Sequence, residues 1–272
     1  MSETKPDFKR MFLRLPQSRQ DYAAVAIIAK LARLLGADLI GTYVDDFSVR
    51  GIADLPNARE FRTGSWQPLS SKQLDQDLAI AAQEAERLFR KNAGRLGSAL
   101  SFSAASGAAG QPRQIAAQDI IAVIEPRNAI ERITHQFNEW LDRAFGSTSS
   151  ILLVPSRVKR LSGPIIAVAC GPDDPCLAAA LALAASSGER MVLVPIQASI
   201  ESLASVLENA RTAGVVASTA DAAFHGEDIL LPAHVKGGLL IMSRRPTMRR
   251  PILSQMPIFL ISAKLPRSES SS

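Results

Sequence analysis

The sequence predicts an α/β protein built from two tandem units, each a parallel sheet with helices wound on both faces. Three observations carry this reading. Strand-like and helix-like runs alternate along nearly the whole chain, the pattern of βαβ units joined by right-handed crossovers. The order of segments also occurs twice. Ala23–Leu35 ends at Gly36 and is followed by Leu39–Val44; Leu177–Ala185 ends at Gly188 and is followed by Met191–Ile196. Finally, strands such as Leu39–Val44 and Ile120–Ile124 are apolar throughout rather than alternating, as strands covered on both faces are. The repeat divides the chain into residues 1–156 and 157–272.

In order, Phe8–Leu15 reads as a strand. Ser18, with Asp21 three residues on, resembles a capping box for the Ala/Leu-rich helix that Gly36 closes. Leu39–Val44 is the second strand. Residues 45–69 form a long loop carrying Phe47, Phe61 and Trp66, either a lid over the first unit's crevice or a wrap filling a satellite core. Ser70 and Gln73 open a long amphipathic helix, Lys72–Leu96. A strand near Ala99–Ala104, a short helix near Pro112–Ala117, a strand at Asp119–Glu125, a helix at Thr134–Phe145 and a strand at Ile151–Pro155 complete the first unit. Ser156–Gly163 is the linker. The second unit is shorter: strand Pro164–Cys170, helix Asp174–Ser186, strand Met191–Ile196, helix Ser199–Thr212, strand Val215–Ser218, a helix near Glu227–Val235, and strands Gly238–Ser243 and Pro257–Ala263. It lacks the long loop and the last helix.

With 47% hydrophobic and 21% charged residues, the chain can bury a sizeable core. A net charge of +5 is modest and predicts no specific nucleic-acid partner. The N-terminal MSETKPDFKR has no apolar signal region, and the most apolar helix carries Lys30 and Arg33 and is too short to span a bilayer. Two cysteines, Cys170 and Cys176, make no disulfide framework, so a reduced, cytoplasmic protein is expected. Neither they nor His135, His225 and His234 have metal-site spacing, and no Walker A or Rossmann glycine pattern is present.

The first strand with its Ala-rich helix and Gly36, the stretch QDIIAVIEPRNAIERITHQFNEWLDRAFGSTSSILLVPS and the opening GPIIAVACGPDDPCLAAALALA together resemble a tandem universal stress protein. That resemblance implies two five-stranded parallel sheets in the order 3-2-1-4-5, paired through their fifth strands into a pseudo-dimer within one chain. Many members bind ATP through spaced glycines after the fourth strand, where the main chain approaches phosphate closely. The matching positions here are Glu125, Asn128 and Asn138, followed by Glu139 in place of a hydroxyl. In the second unit they are Ser243 and Pro246, the rest being deleted. The ATP motif is therefore degenerate in both copies, and no cofactor is expected.

Two features could still hold a ligand. Asp173 and Asp174 stand where family members place an acid near the nucleotide base, although an acid there is also a natural helix N-cap. Arg244 and Arg245, with Arg249 and Arg250, could form a guanidinium site for an anion or could simply be exposed. The functional expectation is a non-catalytic, cytoplasmic stress-response accessory factor acting on protein partners that the sequence does not name. Its alternative is a binder of a nucleotide or other anionic small molecule in the second copy. Pseudo-dimers could assemble further.

Overall fold

The computed structural model describes residues 7–16, 18–45, 51, 55, 57–94, 99–106, 115–158, 161–196, 201–221, 223–225, 228–230, 238–244 and 256–262. In the first half, β1 (Arg10–Arg14), α1 (Ala23–Leu35), β2 (Asp38–Asp45), the hairpin β3 (Arg59–Arg62) and β4 (Ser65–Pro68), and α2 (Ser71–Ala93) come first. They are followed by β5 (Leu100–Ser106), β6 (Ile120–Glu125), the single turn α3 (Ala129–Arg132), α4 (His135–Gly146) and β7 (Ser150–Pro155). The second half contains β8 (Ile165–Ala169), α5 (Pro175–Ser187), β9 (Met191–Pro195), α6 (Ala204–Thr212) and β10 (Ala217–Thr219). A short hairpin, β11 (Ala223–His225) and β12 (Asp228–Leu230), precedes β13 (Leu239–Ser243) and β14 (Ile258–Ile261).

Ten strands form one sheet in the order β10-β9-β8-β13-β14-β7-β6-β1-β2-β5. Each half has the predicted order 3-2-1-4-5, parallel throughout, and the fifth strands β7 and β14 pair antiparallel with Leu152 opposite Phe259. A parallel strand apolar on both faces must be covered on both, and β6, β7 and β8 are buried along almost their whole length. On one face α1 and α2 of the first half and α5 of the second share one continuous core, in which Phe8 packs 5.6 Å from Phe259 across the join. On the other face α4 lays Trp140 and Ala144 over β6 and β7, in a second core that runs on to Val192 and Val194 of β9.

Both repeat helices end as the glycines require. Gly36 and Gly188 adopt the left-handed conformation, with φ 74° and 70°. At Gly41 the reason for glycine is space: a Cβ there would lie 2.8 Å from the ring of Phe89, which α2 buries completely against β2. The start of β1 is tied to the start of β6 by Arg10, whose Nε and Nη2 donate to the buried Asp119 carboxylate at 2.9 and 2.7 Å. Asp119 also accepts from the Ala116 N–H.

Several local expectations are corrected. Ser18 caps a single 3-10 turn, Arg19–Tyr22, by accepting from the Gln20 N–H, and α1 begins only at Ala23, so no capping box forms. Ser70 makes no side-chain cap. The long loop contains a hairpin whose turn residues Thr63 and Gly64 both have positive φ, 51° and 85°, the geometry of a tight two-residue connection. Phe61 meets Trp66 edge-on at 5.5 Å, and both are about two-thirds exposed, so neither of these two fills a satellite core; Phe47 lies outside the described residues. The helix near Glu227–Val235 gives way at Asp228–Leu230 to a strand paired with Ala223–His225; Pro232 would leave an interior helix turn without its N–H donor. Residues 231–237 and 245–255, where the sequence predicts no last helix, lie outside the described residues, as do 112–114 of the predicted short helix, whose described part, Ile115–Ala117, is not helical.

Candidate functional site

In open sheets of this topology a ligand lies beyond the C-terminal strand ends, where the strand order reverses. The reversals fall between β1 and β6 in the first half and between β8 and β13 in the second.

In the second half that point is bridged by one carboxylate. Asp174 is the N-cap of α5, with Pro175 at the first helical position, where its missing N–H costs nothing. Its Oδ1 accepts from the Cys176 N–H at 3.1 Å and from the Ser243 hydroxyl at the end of β13. Its Oδ2 accepts from the Cys170 N–H, just past β8, at 2.9 Å. The side chain thus joins the strand before the reversal, the strand after it and the helix between. Asp173 beside it is exposed. The buried Cys176 thiol donates to the Val168 carbonyl at 3.4 Å, and burial, reinforced by Asp174, pushes its pKa well up.

Arg244 turns away from this crevice. Its Nη1 donates to the carbonyls of Ser147 at 2.7 Å and Ser149 at 3.2 Å, and its Nη2 donates to the carbonyl of Phe145. These acceptors lie at and just beyond the C-terminal end of α4, where helix carbonyls lack partners and a cation is favoured. The guanidinium also sits 5.8 Å over the Phe145 ring, and burial lowers its pKa. Ser262 adds to the same clasp, donating its hydroxyl to the Thr148 carbonyl at 2.6 Å and its N–H to Ser150 Oγ at 3.0 Å. Arg244 therefore joins the two copies, and the expected anion contact is occupied by main chain. Arg245 lies outside the described residues.

In the first half, Glu125 ends β6, and its carbonyl accepts from the Ser156 N–H at 3.1 Å. Its carboxyl is half-buried; burial raises its pKa, against the pull of Arg132 and Arg157. Asn128 caps α3 by accepting from the Ile130 N–H at 2.9 Å. Thr134 caps α4, accepting from the Phe137 N–H and donating to the Glu131 carbonyl. Asn138 and Glu139 consequently fall inside α4, a turn past the helix end where a cradle would need them. The Asn138 amide donates to the carbonyls of Thr134 and Arg132. Glu139 lies 3.9 Å from His135.

Two residues that the sequence reading passed over stand in this crevice: Arg132 Nε and Ser156 Oγ are buried without a hydrogen-bond partner. Ser156, the first residue of the predicted linker, directly follows the fifth strand, at the strand ends where ligands gather. Next to Arg132, Glu131 has its pKa raised by partial burial and by the charge of the buried Asp21. Among the described residues no three His, Cys, Asp or Glu groups are set to hold a metal ion, and no helix is long and apolar enough to cross a membrane.

No protein-family model matches the chain, and no curated protein matches it. Among solved structures, a universal stress protein from Archaeoglobus fulgidus overlays on 96% of this chain and 98% of its own, with TM-score 0.59 and 11% identity. The chain has the universal stress protein fold, in tandem. A Pseudomonas aeruginosa protein of unknown function overlays more loosely, on 93% of this chain and 92% of its own, at TM-score 0.43 and 11% identity. At these identities the likeness concerns fold alone.

Proposed function

We propose that this chain is a non-catalytic, cytoplasmic stress-response accessory factor that acts through protein contacts, its nucleotide site degenerate in both copies. The observation that carries this is Asp174: its carboxylate is already used by the Cys170 N–H, the Cys176 N–H and the Ser243 hydroxyl across the second reversal point. The acid that the resemblance places near a nucleotide base is thus held by three protein donors, which take up most of its acceptor capacity. In the first copy, Glu125 and Asn128 put side chains where a phosphate needs bare main chain. The test is a thermal-shift panel with ATP, ADP, AMP and phosphate. A specific ligand at about a hundred times its Kd would stabilise the fold by about 2.7 kcal/mol. No shift at millimolar ligand is expected; a shift with ATP, or nucleotide absorbance in the purified protein, would overturn the reading.

A second reading keeps an anionic small molecule as ligand. The commitment of Arg244 argues against the second copy as its place. The first copy has a specific feature in its favour, the two buried and unpartnered donors Arg132 Nε and Ser156 Oγ. A phosphate-dependent shift abolished by Arg132→Gln with Ser156→Ala would establish this reading over the first.

A further inference from the structure

The ten-stranded sheet has two ends that differ. At one, β10 is only three residues long, Ala217–Thr219. At the other, β5 runs for seven residues, Leu100–Ser106, and no described strand pairs on its outer side. An edge of that length is normally guarded by a charge, a proline or a bulge. The run LSFSAAS has no charge and no proline, and it pairs with β2 in unbroken register from Leu39↔Leu100 to Asp45↔Ser106.

The phase of the outer main-chain groups follows from one hydrogen bond. The Leu39 N–H donates to the Ala99 carbonyl at 3.0 Å. In a parallel ladder alternate residues turn both groups to the same neighbour, so Ala99, Ser101 and Ser103 serve β2. Leu100, Phe102 and Ala104 hold their N–H and C=O groups outward. Leu100 and Phe102 are half-buried against the core, whereas Ser101, Ser103 and Ala104 are exposed.

We propose that β5 is a self-association edge and that its partner is β5 of a second copy of this chain, paired antiparallel about Phe102. That register places Phe102 opposite Phe102 of the other molecule, each exchanging both main-chain bonds. Leu100 then faces Ala104 and Ser101 faces Ser103. No charge meets a like charge, and an aromatic pair, one of the favourable cross-strand pairings, stands at the centre. The contact is isologous, so it closes at a dimer. It also extends the way the molecule's own halves join, since β7 and β14 already fuse two sheets by antiparallel edge pairing.

The test is molar mass by light scattering or sedimentation across a concentration series. The wild-type chain is expected to pass reversibly from 29.2 kDa to twice that mass. Ala104→Pro removes an outward N–H and none that serves β2, so it should remain monomeric with an unchanged melting temperature. Ala104→Lys, which sets a charge against Leu100 of the other copy, should do the same and covers the case in which the proline variant does not fold. A wild-type chain that stays monomeric at its highest soluble concentration overturns the proposal. So does a dimer that survives in either folded variant, since some other surface would then be responsible.

Discussion

Replacing Arg244 by alanine tests the clasp between the two copies. The guanidinium makes three charge-assisted bonds, to Phe145, Ser147 and Ser149, from a half-buried position. A hydrogen bond to a charged group contributes about 1.5–3 kcal/mol. The three do not add in full, because they share one side chain and water can reach carbonyls beyond the end of α4. A loss of about 2–4 kcal/mol is therefore expected for Arg244→Ala, and Arg244→Lys should recover less than half of it, since one ammonium cannot span three carbonyls in a fixed fork. Urea unfolding gives the answer directly, provided the slope is unchanged between variants. A loss within the roughly 0.5 kcal/mol usual for an ordinary surface substitution would refute the clasp. Phosphate offers a second check: wild type and Arg244→Ala should respond identically, because the guanidinium is not waiting for an anion.

Three further outcomes follow from buried groups. Gly41→Ala forces a methyl into the Phe89 ring and should cost about 1–3 kcal/mol, as overpacking does, read as a lowered melting temperature. Because burial raises the Glu125 pKa, the folded state holds that proton more tightly than the unfolded chain does. Its favourable contribution is present below the ordinary carboxylate range and is lost as pH rises through the raised value. Glu125→Gln should therefore stabilise the protein at pH 7 and not at pH 4; an equal gain at both would contradict the assignment. With a thiol reagent, the exposed Cys170 should react quickly and Cys176, buried and raised in pKa, only on unfolding; Cys170→Ser should abolish the fast phase, and its persistence would show Cys176 accessible.

Much of the architecture is legible from residues alone. Strands apolar on every position, the two helix-closing glycines and the repeated order of segments specify a doubly wound sheet made twice, because local burial demand and backbone conformation are properties of short stretches. Asp174 as an N-cap is readable for the same reason, since it needs only the helix that follows it. The turn at Thr63–Gly64 is local as well, since it needs only a pair of residues with positive φ between two short runs that pair with each other.

What the chain could not disclose is where long side chains go once distant strands meet. Arg244 stands beside a crevice in sequence terms, yet it reaches carbonyls near residue 147 because the antiparallel join of β7 and β14 carries the end of α4 to it. The bond between Ser243 and Asp174, and the buried, unpartnered atoms of Arg132 and Ser156, likewise exist only when strands far apart in sequence end side by side. Backbone periodicity is local and survives in the sequence; the pairing of polar groups depends on distances that only the assembled sheet defines.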